Sequence, residues 1–437
     1  MFETIVALAT PPLKSALAIV RLSGADCFEV VSKMFSKKLD NTKDKNIQYG
    51  FIVDQGTSID QVILLTYKNP HSFTGEDSVE IICHGSPLIA DQIISACLRN
   101  GARMATNGEF SSRAYLNGKI DLVQAEAIND IINATTTEAR DLSMESLKGE
   151  TSKMFKPIKD EIAEILSHIE VNIDYPEYED IEEVTKEEII DNCSKIVAKI
   201  NNLIIDAEKS KLYIDGLDIA IVGKPNVGKS SLLNSLLKDE KAIVTDIAGT
   251  TRDIVEGTFN LSGVPCRLYD TAGLRESSDV IECIGIEKAM NIVNKADLIL
   301  FVVDETGLDE QLYELVKEKK HIVVYNKADL ISNHKAGVLY VSAKENDIEP
   351  LLNKIKEVMN IGELSIKPSF NNTRQLGLLK NIAVSLENAV KDAKDNQPID
   401  LISVSIMMAY NSSLDLLGES NKNDLTDEIF SRFCVGK

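Results

Sequence analysis

A glycine-rich segment at residues 223–230 places the strongest constraint on the fold of this 437-residue chain. It fits the pattern G-x-x-x-x-G-K-[ST], follows the apolar run Ala220 to Val222, and precedes a stretch with helical spacing that starts at Leu232. The glycines let backbone N–H groups surround phosphate oxygens, Lys229 supplies a positive charge, and the Ser230 hydroxyl can ligate Mg²⁺. Strand, loop and helix in this order predict a phosphate-binding loop in a parallel α/β sheet.

Three further motifs follow in the order expected of a guanine-nucleotide site. Asp270-Thr-Ala-Gly273 comes after a strand-like run, which puts a carboxylate near the metal and a glycine N–H near the γ-phosphate. Asn326-Lys-Ala-Asp329 follows another such run, and Asp329 can accept hydrogen bonds from the guanine N1–H and 2-amino groups, which adenine lacks. Ser342-Ala-Lys344 would hold the base through backbone donors. The sequence therefore predicts a GTPase.

The segment from residue 245 to residue 251 lies between the phosphate loop and Asp270, where a mobile loop would carry a threonine to Mg²⁺. We expect Thr251 to take that role together with Ser230. The amide oxygen of Asn226 could join backbone carbonyls of the same loop around a monovalent cation, where an arginine finger would otherwise neutralise charge. The predicted ligands of that cation are Asn226, Thr245, Ile247 and Thr250.

The residue after Gly273 is Leu274, where Ras-like enzymes carry the glutamine that orients the attacking water. A leucine cannot orient water, so another group has to act. Glu282 is our candidate, with Glu276 and Asp279 as the other acids of the segment. The predicted catalytic residues are Lys229 and Glu282. The full predicted GTP set is Asn226, Val227, Gly228, Lys229, Ser230, Ser231, Thr245, Asp246, Ile247, Ala248, Gly249, Thr250, Thr251, Asp270, Thr271, Ala272, Gly273, Asn326, Lys327, Asp329, Ser342, Ala343 and Lys344.

Composition limits the partners and the compartment. With 47 basic and 68 acidic side chains the formal charge is −21, so a nucleic acid would need a local basic patch or a basic partner protein. The 7 cysteines form no Cys-x-x-Cys pair and cannot all pair within one chain, which indicates reduced thiols and no zinc site. We find neither a signal peptide nor an apolar run of about 18 residues, and we expect a cytoplasmic chain without membrane spans.

The pattern of apolar residues divides the chain into four segments. Short β-like runs near Ala16, Tyr49, Val62 and Ser78 predict an α+β domain over residues 1–118. Helical periodicity predicts the first part of a helical domain at 119–212, and a βαβ rhythm predicts a P-loop domain with a mainly parallel sheet at 213–365. The helical pattern returns at 366–437. The predicted fold class is therefore α/β plus α, with the P-loop domain inserted into the helical domain.

These motifs together give the chain a specific resemblance. The phosphate loop, the segment 245–253, Asp270-Thr-Ala-Gly-Leu-Arg and the terminal Phe433-Cys-Val-Gly-Lys437 all resemble the MnmE (TrmE) family of tRNA-modifying GTPases. The N-terminal part adds Arg21-Leu-Ser-Gly24 and the block from Arg113 to Glu126. The resemblance covers essentially the whole chain, and the terminal Cys-x-Gly-Lys motif and the Asn117-Gly-Lys block separate it from other GTPases.

The resemblance implies a homodimer built through the N-terminal domains, and K⁺-dependent hydrolysis in which two G domains meet. It implies a pocket in the N-terminal domain for 5-formyl- or 5,10-methylene-tetrahydrofolate. Carried over onto this sequence, the folate contacts are Arg21, Glu80, Lys119 and Lys437. The implied activity, with a flavin-dependent partner of the MnmG (GidA) family in a hetero-oligomer, adds an aminomethyl or carboxymethylaminomethyl group to C5 of the wobble uridine of certain tRNAs.

The chain has no G-x-G-x-x-G motif, so flavin and nicotinamide chemistry would belong to the partner.

Two other functions remain as alternatives at the level of sequence. A GTP-switched protein of ribosome assembly or RNA binding, without modification chemistry, is the alternative. A stand-alone RNA-binding module is disfavoured by the acidic charge and the 5% aromatic content.

Overall fold

The computed structural model describes residues 3–40, 43–174, 185–239, 257–270, 291–331, 335, 337–362, 366–420 and 428–436. The chain divides into two compact units, one of residues 1–129 with 413–437 and one of residues 130–412. Each unit combines helices with strands of a six-stranded sheet, which confirms the predicted α/β plus α class. The finer division into four segments stays a prediction.

The first unit contains a mixed sheet in the order β3-β4-β5-β2-β1-β6. Its strands are β1 (Ile5–Leu8), β2 (Leu17–Ser23), β3 (Lys45–Asp54), β4 (Thr57–Tyr67), β5 (Ser78–His84) and β6 (Arg103–Met104). Neighbouring strands are antiparallel, except that β6 runs parallel to β1. The four β-like runs predicted near Ala16, Tyr49, Val62 and Ser78 fall in β2, β3, β4 and β5 and are confirmed.

Helices cover one face of this sheet. They are α1 (Cys27–Ser32) and α2 (Pro87–Arg99). The next helix, α3 (Glu109–Leu116), packs through Phe110 with Ile5 and Ala7 on the other face, and α4 (Leu122–Asn133) follows it in the chain. Alternate residues of the strands, such as Val20 and Ile81, are buried with Ile93 and Cys97 of α2 in one core. The period of two along each strand thus directs one row of apolar side chains inward.

The C-terminal segment belongs to the first unit. Phe430 and Phe433 pack with Leu122 of α4 in a small buried cluster. Residue 436 has a backbone φ of +92°, and a Cβ there would lie 2.6 Å from the carbonyl oxygen of Leu8. Only glycine fits such a close approach. Gly436 therefore fixes the end of the chain against β1.

The helical part of the second unit is built from long amphipathic helices. They are α5 (Thr137–Leu147), α6 (Glu150–Asp174), α7 (Lys186–Asp215), α11 (Thr373–Lys394) and most of α12 (Ile399–Leu417). A capping box between Thr185 and Glu188 starts α7, and Asn372 caps α11 through the N–H of Gln375. Helices α7 and α11 pack along each other. The helical stretches predicted in these regions are confirmed.

The second sheet has the order β12-β11-β10-β7-β9-β8. Its strands are β7 (Leu217–Val222), β8 (Gly257–Leu261), β9 (Val264–Asp270), β10 (Leu298–Val303), β11 (His321–Tyr325) and β12 (Leu339–Tyr340), and its helices are α8 (Lys229–Asp239), α9 (Glu310–Glu314) and α10 (Glu349–Val358). All neighbours are parallel except β8 and β9. Every residue of β10 is buried, as expected for a strand covered on both faces.

Parallel strands carry their loops to one edge. The loops after β7, β10 and β11, and Asp270 at the end of β9, therefore lie at the carboxyl edge of this sheet, where open α/β sheets bind ligands.

Candidate nucleotide-binding site

The phosphate loop connects β7 to α8 with an unusual backbone. Asn226 has a φ of +66° and Gly228 a φ of +94°, both in the left-handed region. A Cβ on Gly228 would lie 2.3 Å from Nδ2 of Asn326, so the loop could not hold this position with another residue there. The loop leads into the N-terminus of α8, the positive end of the helix dipole, which suits an anion.

Lys229 is the first residue of α8 and is 6% exposed. Its Nζ donates hydrogen bonds to the carbonyl oxygens of Gly223 at 3.0 Å and Lys224 at 2.8 Å. The ammonium group therefore lies within the curve of the loop. A phosphate that entered the loop would meet a charge already positioned there.

Ser230 and Asp270 bring two oxygen donors together. Ser230 follows Lys229 in α8, and Asp270 is the last residue of β9 and is 7% exposed. The Ser230 hydroxyl donates to Oδ2 of Asp270 at 3.2 Å. A hydroxyl next to a carboxylate is the donor set that Mg²⁺ prefers. The two side chains thus fit the predicted metal site.

Asn326 links the phosphate loop to the loop that begins at Ser342. It is 2% exposed, and its Nδ2 donates to the carbonyl oxygen of Val227 at 3.0 Å. Its Oδ1 accepts from the backbone N–H of Ala343 at 3.1 Å. One buried amide therefore joins three of the predicted GTP-binding segments.

Asp329 lies on a short 3₁₀ helix (Ala328–Leu330) that follows β11. Its Oδ1 accepts a hydrogen bond of 2.7 Å from the hydroxyl of Ser342. The turn that holds Ala343 and Lys344 is closed by a β-bridge between Ser342 and Asp347. The carboxylate predicted to read guanine is thus oriented by the neighbouring loop.

Sequence analysis did not single out Asp304, which follows β10 directly. The carboxylate is buried, and its Oδ2 accepts a hydrogen bond of 2.7 Å from Nζ of Lys327. Burial raises the pKa of Asp304, but hydrogen bonds from Lys327 and Thr306 outweigh it and lower that pKa from 3.8 to about 2. The available signal was an acidic residue at the carboxyl end of an apolar strand-like run, a feature that Asp270 shares.

Part of the predicted set lies outside the described residues. These positions are Thr245, Asp246, Ile247, Ala248, Gly249, Thr250, Thr251, Thr271, Ala272, Gly273, Glu282 and Lys437. Their roles stay predictions. Among the predicted GTP-binding residues that the structure does describe, Val227 is buried within the phosphate loop and Ser231 is exposed on α8.

Two of the four predicted folate residues meet in the first unit. Arg21 of β2 donates through Nε and Nη2 to Oε1 of Glu80 on β5, at 2.9 and 2.7 Å. Nη1 of Arg21 donates to the carbonyl oxygen of Gly436 at 3.1 Å, and the guanidinium lies over the Phe110 ring. Burial raises the pKa of Tyr67, and the charge of Glu80 adds to that shift. The pair is partly open to solvent, with side-chain exposures of 22% and 17%.

Lys119 makes a different contact. Its Nζ donates to the carbonyl oxygen of Pro70 at 3.0 Å, and Nδ2 of the nearby Asn117 donates to the carbonyl oxygen of Thr74 at 2.7 Å. Buried Arg113 holds the same loop through an ion pair of 2.9 Å with Glu76. The block that begins at Arg113 thus fixes the segment between β4 and β5.

Within the residues described, no group of three or more His, Cys, Asp or Glu side chains is arranged to hold a metal ion. None of the helices in that part is long and apolar enough to cross a membrane.

Family models and curated relatives match both the N-terminal and the C-terminal part of the chain. A family model described as "GTP-binding protein TrmE N-terminus" matches residues 4–119, and one described as "MnmE helical domain" matches residues 122–434. A curated relative from Mycoplasmopsis pulmonis, "tRNA modification GTPase MnmE", is 41% identical over 445 residues, with 100% of both chains covered. A relative of that name from Bacillus subtilis is 38% identical over 458 residues, again with 100% of both covered.

Among solved structures, Aquifex aeolicus Era bound to GDP and AlF4⁻ is 30% identical to the aligned part. The match covers 39% of this chain and 66% of that one, with a TM-score of 0.27.

Proposed function

The chain belongs to the MnmE (TrmE) family of tRNA modification GTPases, and we propose that it hydrolyses GTP to support modification of tRNA wobble uridines. The proposed product carries an aminomethyl or carboxymethylaminomethyl group at C5 of uridine 34, with its carbon from a tetrahydrofolate. A flavin-dependent protein of the MnmG (GidA) family is the proposed partner for the redox steps. A basic partner would also help to bring tRNA to a chain with a charge of −21.

The bridge made by Asn326 is the observation that carries the guanine assignment. It holds the phosphate loop at Val227 and the base loop at Ala343 in one fixed arrangement. Asp329, oriented by Ser342, then supplies the acceptor that guanine matches and adenine does not.

Ser230 and Asp270 support the proposal of Mg²⁺, with Thr251 as a further ligand. Their oxygens lie 3.2 Å apart, and an all-oxygen donor set suits this hard ion. When bound, Mg²⁺ would neutralise charge on the β- and γ-phosphate oxygens. Lys229 would contact the same phosphates from the loop.

K⁺ is proposed as a second ion. Asn226, the member of its ligand set that the structure describes, is exposed in the phosphate loop with left-handed backbone. An exposed amide oxygen is a suitable donor for a hard cation.

Arg21 and Glu80 support a folate pocket in the first unit. The pair is partly exposed, so the carboxylate can accept from the amino and ring N–H groups of a pterin. The folate would supply the one-carbon unit. Binding of 5-formyl-tetrahydrofolate should be lost in Glu80→Gln and retained in the control Glu29→Gln, an exposed acid of the same unit.

An apolar face of β3 supports a homodimer. Ile47, Tyr49 and Phe51 alternate along this edge strand and are 70%, 54% and 43% exposed. Exposed apolar rows on an edge strand mark association surfaces. Tyr49→Lys should shift the chain from dimer to monomer in light scattering.

Mass spectrometry of tRNA nucleosides from a deletion strain tests the proposed function. The modified wobble nucleosides should disappear, return with the wild-type chain, and stay absent with Lys229→Ala. Lys238→Ala, an exposed lysine on the same helix, is the matched control and should restore them. Normal wobble nucleosides in the deletion strain, with immature ribosomal subunits, would instead support the assembly GTPase.

A further inference from the structure

Asp304 is held from two sides by contacts that the proposed GTP site leaves unexplained. Its side chain is 8% exposed, and Oδ2 accepts from Nζ of Lys327 at 2.7 Å. Oδ1 accepts from both the backbone N–H of Thr306 at 3.1 Å and its hydroxyl at 2.7 Å. Both oxygens are therefore engaged, and the carboxylate has a fixed orientation.

The lysine on the other side of this pair has a strained backbone. Lys327 has a φ of +61°, a left-handed conformation that is unfavourable for a residue other than glycine. It caps the 3₁₀ helix on which Asp329 lies. Strain of this kind persists where surrounding contacts hold it and is concentrated at functional sites.

The sheet explains how the two residues meet. Strands β10 and β11 are parallel neighbours, with Val303 opposite Tyr325. Asp304 and Lys327 follow these strands at the same edge, and the N–H of Asn326 donates to the carbonyl oxygen of Val303 at 2.8 Å. The pair is thus built into the edge at which the base would bind.

We propose that Asp304 is a positioning residue of the guanine pocket. It anchors the Lys327 ammonium, so that the aliphatic stem of the lysine forms a wall against the flat face of the base. Lysine stems pack on flat apolar surfaces in this way while the charged end keeps a polar partner. This inference rests on the proposed GTP-binding function, and Asp304 acts through Lys327 without touching the nucleotide.

Long-range electrostatics alone predicts the opposite change in GTP affinity when the charge of Asp304 is removed. GTP is a polyanion, so removing a negative charge near its site should tighten binding if charge alone mattered. Loss of the anchor should weaken binding instead. The sign of the change in nucleotide affinity therefore separates the two explanations.

The test uses the full-length chain and fluorescent GDP and GTP. Asp304→Asn keeps the shape and an acceptor for Thr306 but loses the charge-assisted bond to Lys327. We expect Kd for both nucleotides to rise about tenfold, the scale of one hydrogen bond to a charged group, with kcat at saturating GTP within about twofold. Glu314→Gln, which removes a charge from an exposed pair with Lys317 in the same unit, should leave both unchanged.

A double-mutant cycle with Lys327→Met isolates the pair. If Asp304 acts through Lys327, the double variant should bind GTP no more weakly than Lys327→Met alone. Unchanged or tighter binding in Asp304→Asn, or fully additive losses, would overturn the proposal. A wild-type chain that does not bind GTP would contradict the proposed function itself.

Thr306→Val provides a second route if Asp304→Asn does not fold. Thr306 is exposed, and its hydroxyl donates to Oδ1 of Asp304. Removing it should loosen the carboxylate and raise Kd about threefold at unchanged kcat. No change in Kd would overturn the proposal.

Discussion

Asn326 and Val227 are joined by a hydrogen bond of 3.0 Å from the side-chain Nδ2 to the carbonyl oxygen, although 99 residues separate them. Because the same buried amide also accepts from the N–H of Ala343, the base loop and the phosphate loop share one rigid support. Base recognition and phosphate binding should therefore be energetically coupled, since displacing either loop leaves a buried polar group without its partner.

Asp329→Asn should change the preferred base. An asparagine at this position presents a donor where guanine also has a donor, whereas xanthine has a carbonyl oxygen there. We expect GTP affinity to fall at least about tenfold and xanthosine triphosphate to become the better substrate. Competition binding measures both, and unchanged GTP affinity would remove Asp329 from base recognition.

Ser230→Ala should lose Mg²⁺ coordination and hydrolysis together. The hydroxyl lies 3.2 Å from Asp270, and no other atom of an alanine could replace it as a ligand. When the turnover rate is measured against Mg²⁺ concentration, Ser230→Ala should be much slower than the wild type at low Mg²⁺. Asn234→Ala, which changes an exposed residue of the same helix, should match the wild type. Normal Mg²⁺ dependence in Ser230→Ala would contradict the assignment.

Local sequence predicted much of the nucleotide site. Gly228 marks a left-handed position in a strand-loop-helix unit, Asp270 is the last residue of β9, and Asn326 directly follows β11. The carboxyl ends of parallel strands lie at one edge of a sheet, so the position of these residues at the ends of strands was enough to predict that they lie close together.

Contacts that depend on pairing between distant residues were not predictable in this way. Asp304 and Lys327 meet because β10 and β11 are adjacent in register, which periodicity along one strand does not reveal. Arg21 and Glu80, two of the predicted folate contacts, face each other as register partners of β2 and β5, which their distance in the sequence does not reveal. Arg113, a charged residue that sequence would place in solvent, is only 2% exposed.

Turnover should be higher in K⁺ than in Na⁺ at fixed ionic strength. Asn226 and the carbonyls of residues 245–250 would form a cage that suits the larger ion, although that loop lies outside the described residues. Asn226→Ala should reduce the rate in K⁺ towards the rate in Na⁺. Steady-state rates in the two salts measure this, and equal rates for the wild type would refute the cation site.

Glu282→Ala should separate GTP binding from hydrolysis. Leu274 cannot orient water, and family correspondence selects Glu282, which also lies outside the described residues. We expect GTP affinity within a few-fold of the wild type and a fall in kcat of about 10²-fold or more, typical of losing a general base. Near-normal single-turnover hydrolysis would leave Glu276 and Asp279 as the residues to test.

Glu109 lies at the centre of an ion-pair network in the first unit. Its Oε1 accepts from Arg103 at 2.6 Å and from the buried Arg113 at 2.8 Å, and its Oε2 accepts from the N–H of Thr106 at 3.0 Å. Burial raises the pKa of Glu109, but these donors outweigh it and lower that pKa from 4.5 to about 2. The ionised form is therefore favoured in the folded chain.

The stabilising effect of Glu109 should be fully present above pH 4.5 and be lost as the pH falls towards 2, because a lowered pKa favours folding only while the carboxylate is ionised. Glu109→Gln should lower the free energy of opening of α3 at pH 7 by roughly 1–2 kcal/mol after allowance for solvent screening. Hydrogen exchange of α3 amides, corrected for intrinsic rates, measures this free energy. The difference in the free energy of opening between wild type and variant should become smaller below pH 4.5. Glu29→Gln removes a charge from an exposed pair with Lys33 and should change neither the free energy of opening of α3 nor its dependence on pH. A gap that is independent of pH would show that Glu109 acts through packing rather than charge.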